Sequence, residues 1–141
     1  MIRNFTRDHA TFTGAANNRL DADVFGDNGP PVLLLHGGGQ TRHAWRSTAE
    51  KLASKGHTAY ALDQRGHGTS EWVADAAYEF RDFSADVKLV ATEITRRSGI
   101  KPIAVVLRLA ASPRFWPKAS PNTLLALTYF LRWCSLTSLR A

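Results

Sequence analysis

The hydrophobic pattern at the start of the chain predicts a β-hairpin followed by a buried strand. Phe5 to Thr13 and Arg19 to Phe25 have the length and composition of strands, and the turn-forming residues 14–18 lie between them. A second turn cluster, Gly26 to Pro31, precedes the wholly apolar run Val32 to Leu35. An apolar run that is bounded by turn residues is typical of a strand buried on both faces, as in a parallel sheet.

Helical and strand patterns then alternate along the chain. Trp45 to Lys55 has apolar residues at helical spacing, and Gly56 is expected to cap the C-terminus of this helix. Thr58 to Leu62 predicts the next strand. A second helix is expected to be capped at its N-terminus by Asp82 or Ser84. Its predicted apolar stripe consists of Phe83, Val87, Val90, Ala91 and Ile94.

A further strand is predicted from Lys101 onward, so that strands and helices alternate over the first hundred residues. Because parallel strands are joined by right-handed crossovers, this order predicts a parallel sheet with helices on both faces. The expected fold class is therefore α/β, with a doubly wound and mostly parallel sheet. A length of 141 residues, 44% of them apolar, suits one globular domain.

The charge distribution changes abruptly at about residue 106. All twelve acidic residues lie between Asp8 and Glu93, where the chain is nearly neutral. Residues 106–141 contain five basic residues and no acidic residue, which gives this segment a net charge of +5. Two halves of one domain rarely differ so sharply. We therefore expect a globular region over residues 1–105 and a divergent basic tail over residues 106–141.

Two glycine-containing motifs follow two of the predicted strands. Leu33-Leu34-Leu35-His36-Gly37-Gly38-Gly39, with Trp45 beyond it, resembles the strand-to-loop segment of α/β-hydrolases. Residues 63–70, Asp-Gln-Arg-Gly-His-Gly-Thr-Ser, resemble the D-x-R-G-x-G-x-S loop that follows the next strand in that family. One predicted helix separates the motifs, as in family members. The resemblance covers about three quarters of the chain, but only about the first half of the family domain.

This resemblance implies a hydrolase of small esters, lactones, amides or epoxides that uses serine-type nucleophilic catalysis and no cofactor. It also implies that Gly37 and Gly38 form an oxyanion hole, with the N–H of Gly38 as one donor. A structural role is implied for the remaining motif residues, with Arg65 and Ser70 holding backbone groups. These structural residues are His36, Gly39, Asp63, Arg65, Gly66, His67, Gly68 and Ser70.

The residues that would complete catalysis are missing from the sequence. The family places a G-x-S-x-G elbow straight after the strand that starts at Lys101, yet no glycine follows Gly99. Ser112 precedes a proline and lacks flanking glycines, so it does not match the elbow. No histidine follows His67, so the tail supplies no catalytic base. No complete set of catalytic residues is present, and the chain as written is expected to be a truncated, inactive family member.

A one-nucleotide frameshift at about Val106 would explain these departures. With suitable codons for residues 105–112, one inserted G changes the translation to Val-Gly-Ala-Ser-Leu-Gly-Gly-Leu, which contains the elbow Gly-Ala-Ser-Leu-Gly. The same frame can encode a helix start over residues 113–119 and a buried strand over residues 129–138. Trp116 followed by Pro117 must then give alanine, because TGG is the only tryptophan codon and CC begins every proline codon. We hypothesise that the tail is a frameshift product or a sequencing error.

Two other interpretations remain open. The chain could be a small non-catalytic binding protein whose basic, aromatic tail contacts nucleic acid or a membrane surface. In that case Arg108, Arg114 and Lys118 would contact phosphates and Trp116 would stack on a base. No nucleic-acid motif is present and Leu124 to Leu139 is short for a membrane span, so neither partner is expected. An interaction protein that reuses the fold without catalysis is the other alternative.

The remaining features of the sequence bear on metals and on location. His9, His43 and His57 have no neighbours at metal-ligand spacing, so no metal site is expected. The first eight residues contain no apolar run, and the single cysteine, Cys134, cannot form an internal disulfide. Both observations favour a cytoplasmic location. The expected partner is a small-molecule substrate.

Overall fold

The protein was analysed as a computed structural model, which describes residues 7–74 and 77–107. These residues belong to the first of two units, residues 1–107 and 108–141, into which the chain divides. The predictions for Phe5, Thr6 and the tail beyond Leu107, including Ser112 and the hypothetical elbow, lie outside the described residues.

Five strands form one mixed sheet in the described region, and their positions follow the hydrophobic pattern. They are β1 (Arg7–Thr13), β2 (Arg19–Phe25), β3 (Pro31–Leu35), β4 (Thr58–Leu62) and β5 (Ile103–Val106). The strand order is β1-β2-β4-β3-β5. β1 and β2 form the predicted antiparallel hairpin, β2 pairs antiparallel with β4, and β3 is parallel to both β4 and β5. The expected α/β class with a mostly parallel sheet is therefore confirmed.

The first predicted helix is present but begins differently. A 3-10 turn over Arg42–Trp45 leads directly into α1 (Arg46–Ser54), so that Trp45 is the N-cap rather than the first helical residue. The C-cap is Lys55, and Gly56 lies one residue further on with a φ of 87°. Glycine is suited to this position because a left-handed conformation after the last helical turn is unfavourable for other residues.

The second helix, α2 (Phe80–Ser98), starts earlier than the predicted caps Asp82 and Ser84. Its N-cap is Glu79, and Asp82 occupies the third helical position. There the Asp82 carboxylate accepts a hydrogen bond from the backbone N–H of Glu79 at 2.9 Å. The predicted N-cap was therefore wrong. Asp82 does accept a backbone N–H at the start of the helix, but it does so from the first turn, as part of a capping box.

The last described strand also starts later than predicted. β5 begins at Ile103 rather than at Lys101. Pro102 lies between the two residues, and a proline has no N–H to donate to a β-ladder. The hydrogen-bonded pairing with β3 therefore begins only after this residue.

Both faces of β3 are buried, as the continuous apolar run predicted. Val32 and Leu34 pack in one core cluster with Ala49 and Ala53 of α1. Leu33 and Leu35, which point to the opposite face because side chains alternate along a strand, are also buried. α2 contributes its buried residues Val87, Val90 and Ile94, which belong to the predicted stripe.

The crossovers change direction at β3. The chain passes from β3 through α1 to β4 on one side, then returns through α2 to β5 on the other side of β3. Because both crossovers join parallel strands and such crossovers are right-handed, the reversal places α1 and α2 on opposite faces of the sheet. It also makes the gap between β3 and β5 the point at which the strand order reverses.

We expect the outer edge of β5 to promote self-association, because no described residue pairs with it. Ile103 is 67% exposed on this edge. Ile103→Lys should reduce concentration-dependent aggregation, measured by light scattering, since a charge on an edge strand opposes strand pairing. The free energy of unfolding should change by less than about 0.5 kcal/mol.

Leu89→Lys is the matched control for this experiment. Leu89 is 45% exposed but lies on α2, away from the strand edge. If the two variants reduce aggregation equally, general surface hydrophobicity rather than the β5 edge drives the association.

Candidate active site

The crevice between the carboxyl ends of β3 and β5 is the candidate site. In open α/β sheets, ligands bind outside the carboxyl ends of the strands where the strand order reverses. β3 leads directly into the glycine loop, which we define as residues 36–39. At the end of β5, the N–H of Leu107 donates to the carbonyl oxygen of Leu35 at 2.9 Å. Leu107, the last described residue, is therefore bonded to the residue that immediately precedes the glycine loop.

His36 lies buried at the base of the glycine loop and bonds through both ring nitrogens. Its Nδ1 lies 2.9 Å from the carbonyl oxygen of Gly37, and its Nε2 accepts the backbone N–H of Gln64 at 3.1 Å. A carbonyl can only accept and a backbone N–H can only donate, so the ring must be neutral with its hydrogen on Nδ1. The imidazole is thus fully used in holding the loop, which is the structural role that the resemblance implied.

Gly37 has both of its backbone groups engaged. Its N–H donates to Oε1 of Gln40 at 3.2 Å, and its carbonyl accepts the backbone N–H of Gln40 at 3.1 Å as well as the His36 bond. The structure therefore does not leave the N–H of Gly37 free to serve an external ligand.

Gly38 carries a backbone donor that faces away from the fold. The carbonyl of Gly37 and the N–H of Gly38 belong to one planar trans peptide, in which the two groups point in opposite directions. Because the carbonyl points inward to His36, the N–H points outward. No acceptor within residues 7–74 and 77–107 bonds to it. Gly38 is exposed, and a Cβ added to it would meet nothing within 4 Å.

The second motif is organised around the carboxylate of Asp63, which follows β4 and has no exposed surface. It accepts the backbone N–H of Arg42 at 2.6 Å and that of Thr69 at 3.1 Å, and it also bonds to the Arg42 guanidinium. Gly68, at a φ of 53°, lies against this carboxylate, where any side chain would collide with it. The acceptor positions of Asp63 are therefore taken by structural donors.

Arg42 is a buried residue that the sequence analysis did not identify. Its guanidinium lies between Asp63 and Asp23, with its Nε 3.1 Å from Oδ1 of Asp23. The 3-10 turn that carries it starts soon after the glycine loop. Asp23 lies on a predicted strand and Asp63 follows one, so their carboxylates could be expected to need a cationic partner. Their spacing in the sequence does not show which arginine supplies it.

Arg65 and Ser70 join the second motif to the rest of the fold. Two nitrogens of Arg65 bond to the carboxylate of Asp86 on α2, each at 2.6 Å, and a third donates to the carbonyl of Ala77 at 2.7 Å. The Ser70 hydroxyl donates to the carbonyl of Asp63 at 2.6 Å and accepts the backbone N–H of Asp21 at 2.8 Å. Asp86 was not predicted as a partner.

His67 contacts its neighbours through its aromatic ring, and its hydrogen bond is to a backbone carbonyl rather than to an acidic side chain. Its ring centroid lies 4.8 Å from that of His36 and 6.5 Å from that of Phe83. Its Nδ1 lies 2.9 Å from the carbonyl oxygen of Arg65. No hydrogen bond joins His67 to Asp63 in the described region, so the two do not form an acid–base pair there. The two other motif glycines, Gly39 and Gly66, have φ values of 74° and 69° and allow the loops to turn sharply.

The described ranges contain few other features that could indicate a functional site. No group of three or more histidine, cysteine or acidic residues in residues 7–74 and 77–107 could hold a metal ion. His9 and His43 are exposed, and His57 is partly buried just before β4. Among the helices in these ranges, none has the length and apolar character needed to cross a membrane.

An α/β sheet with a glycine loop at its reversal point and an outward loop N–H is compatible with the scaffold of α/β-hydrolases. Comparison with known families agrees with this assignment. The family model described as the alpha/beta hydrolase fold matches residues 30–106. The chain therefore belongs to the α/β hydrolase fold family.

Individual relatives include esterases and epoxide hydrolases. An esterase of Mycobacterium tuberculosis is 41% identical over 59 residues, which are 42% of this chain and 19% of the relative. Epoxide hydrolase B of the same organism is 38% identical over 60 residues, 42% of this chain and 17% of the relative. The structure of an epoxide hydrolase from an endophytic Streptomyces superposes with a TM-score of 0.61 at 30% identity, covering 72% of this chain and 29% of that one. The chain thus spans less than a third of the length of these relatives.

We expect the buried pair between Arg65 and Asp86 to be essential for stability. Asp86→Ala should lower the free energy of unfolding by about 3–5 kcal/mol, because it leaves the Arg65 guanidinium buried without a partner. It also removes the acceptor of the Ala15 N–H. Urea denaturation followed by circular dichroism would measure the loss.

The control is Glu50→Ala, which removes another carboxylate paired with an arginine. Glu50 bonds to Arg46 on the exposed surface of α1. Exposed pairs of this spacing contribute only about 0.3–0.5 kcal/mol. A loss for Asp86→Ala no greater than that for Glu50→Ala would contradict a stabilising role of the buried pair.

Proposed function

We propose that this chain derives from a serine hydrolase of small esters, lactones or amides, and that it is inactive as written because its reading frame changes at about Val106. The observation that carries the proposal is the outward N–H of Gly38 in the loop that follows β3, the strand that pairs with β5. A fixed backbone donor in this position is suited to stabilise an oxygen that becomes negatively charged during acyl transfer.

The geometry at the end of β5 supports a nucleophile at residue 108 of the restored frame. Leu107, the last described residue, is bonded to Leu35, which immediately precedes the glycine loop. In the restored frame, Gly-Ala-Ser-Leu-Gly would occupy positions 106–110 and its serine position 108. A sharp strand-to-helix turn of this kind exposes the serine hydroxyl above the sheet, with a loop N–H opposite.

The coding constraints of the tail also support the frame change. In the shifted frame each codon consists of the last base of one original codon and the first two of the next. Trp116-Pro117 must therefore give alanine, and Trp133-Cys134 must give valine, whatever synonymous codons the gene uses. Both residues suit their proposed places in a helix and a buried strand. The family match ends at residue 106, where the charge distribution changes.

An elbow serine also narrows the substrate class. Attack of a serine oxygen on an ester, lactone or amide carbonyl forms an acyl-enzyme that water can cleave. Attack of the same oxygen on an epoxide would form an ether, which hydrolysis by the same machinery cannot release. The restored sequence therefore favours carbonyl substrates over epoxides, although relatives of both kinds, an esterase and an epoxide hydrolase, resemble this chain.

Reading the coding DNA from Val105 past the stop codon tests the frame change. We expect the alternative frame to remain open and to encode an acid and a histidine at later strand ends. The restored protein should then hydrolyse short p-nitrophenyl esters, and replacing its elbow serine by alanine should abolish this activity. An alternative frame that closes at once would overturn the proposal. In that case a binding role of the basic tail, tested by salt-dependent binding to DNA, would become the better explanation.

The proposed donor can be tested separately in the restored protein. Gly38→Pro removes the N–H and should lower kcat by about 10²–10³-fold, the usual cost of losing one oxyanion donor. Gly38→Ala keeps the N–H, and its Cβ would lie in open space, so it should retain most of the activity. Unfolding curves would establish that both variants fold. Equal loss of kcat in the two folded variants would argue against the N–H as the donor.

A further inference from the structure

We propose that Gln64 is the positioning residue of the glycine loop: it holds His36 in one neutral tautomer and thereby aims the N–H of Gly38 outward. This inference rests on the proposed function only in that the Gly38 N–H is the proposed oxyanion donor. The positioning itself is a property of the described fold.

Gln64 bonds to His36 twice, across 28 residues of sequence. Its backbone N–H donates to Nε2 of the His36 ring at 3.1 Å. Its side-chain amide donates to the backbone carbonyl of His36 at 2.7 Å. The first bond orients the ring and the second fixes the main chain to which the ring is attached. Gln64 therefore restrains both parts of His36 at once.

The orientation passes from His36 to Gly38 through one peptide group. The Nδ1 hydrogen of His36 bonds to the carbonyl of Gly37, which turns that oxygen inward. The N–H of Gly38 must then point the opposite way because the peptide is planar and trans. Rotation of the His36 ring or loss of its Nδ1 hydrogen would leave the carbonyl of Gly37 held only by the backbone N–H of Gln40.

The other protonation states of His36 are incompatible with these contacts. With the hydrogen on Nε2, two donors would face each other at Gln64 and two acceptors at Gly37. In the cation, Nε2–H would face the N–H of Gln64, although the bond to Gly37 would remain. The structure therefore selects a single tautomer, and Gln64 supplies the donor that excludes a hydrogen on Nε2.

The charged and titratable groups around His36 come from the second motif and the elements that pack on it. The His67 ring lies against the His36 ring, tilted by 53° to it. Asp63 lies at the end of β4, where Arg42 of the 3-10 turn neutralises it. From α2, Asp86 is bonded to Arg65. Burial lowers the pKa of His36 from 6.5 and His67 acts in the same direction, whereas the Gly37 bond and Asp63 oppose them.

Gln40 provides a matched control because it is a second glutamine that bonds to the same loop. Its side chain accepts the N–H of Gly37, but it has no bond to His36. Both glutamine side chains are partly buried. Gln64→Met and Gln40→Met therefore each remove one side-chain amide of equal size from the peptide that joins His36 to Gly37. Gln64 bonds to the carbonyl of this peptide, and Gln40 bonds to its N–H.

The test is ¹⁵N NMR of the histidine rings in the 141-residue chain over a range of pH. The original protein should give one His36 signal set with a protonated Nδ1 and an unprotonated Nε2. In Gln64→Met, the backbone N–H of residue 64 remains but the bond to the His36 carbonyl is lost, so the main chain that carries the ring is no longer held in place relative to that N–H. The two nitrogen signals should then move toward each other as tautomers exchange. Gln40→Met should leave both signals unchanged. A merely structural Gln64 would lower the free energy of unfolding without moving either signal.

Two results would overturn the proposal: unchanged His36 signals in Gln64→Met, or equal changes in both methionine variants. If Gln64→Met loses the native amide spectrum, Gln64→Glu replaces it under the same criteria, because an ionised glutamate keeps the size but cannot donate to the His36 carbonyl. In the restored protein, Gln64→Met should lower kcat roughly 10-fold with little change in KM, less than loss of the donor itself. An inactive restored protein would refute the proposed function, whereas the histidine spectra would still decide the role of Gln64.

Discussion

The arrangement at the carboxyl end of the sheet depends on one constraint: the carboxylate of Asp63 is wholly buried and must be neutralised where it lies. An ionised group without partners is very costly to remove from water. Arg42 and the N–H of Thr69 supply those partners, and the main chain of Asp63 bonds to Ser70 and Asp21. In satisfying one charge, the fold joins β2, β4, the 3-10 turn and the second motif.

The same requirement explains why the N–H of Gly38 is directed outward from the glycine loop. Each inward polar group around it has a partner: the ring of His36 bonds at both nitrogens, and Gly37 bonds through its N–H and its carbonyl. These bonds leave the N–H of Gly38 without an acceptor among the described residues. A preorganised donor of this kind does not need to reorient when charge develops on a substrate, which is the physical basis of oxyanion stabilisation.

Much of the fold could be predicted from local patterns, whereas the partners in the site could not. The apolar run Val32 to Leu35 and the alternation of strand and helix patterns around it predicted the strand boundaries to within about two residues. The errors lie at Pro102, before β5, and at the N-cap of α2. Asp86 did leave a signal, because it falls on the apolar face of α2 between Phe83 and Val90. No local sequence pattern indicated the roles of Arg42 and Gln64, because a loop residue with an exposed side chain and one with a buried side chain can have the same sequence neighbours. Only the packing of the two loops against each other brings these side chains to their partners.

The bonds that shape the site have a consequence for the order of folding during synthesis. Arg42 bonds to Asp63 and Arg65 to Asp86, both across 21 residues, while His36 bonds to Gln64 across 28. Such short separations cost little loop-closure entropy, so these bonds form early relative to distant pairings. The glycine loop and its supports can therefore assemble once α2 has emerged from the ribosome, while the chain beyond β5 is still inside the exit tunnel. Whatever sequence follows Val106, it can emerge beside a folded region in which the Gly38 donor is already oriented.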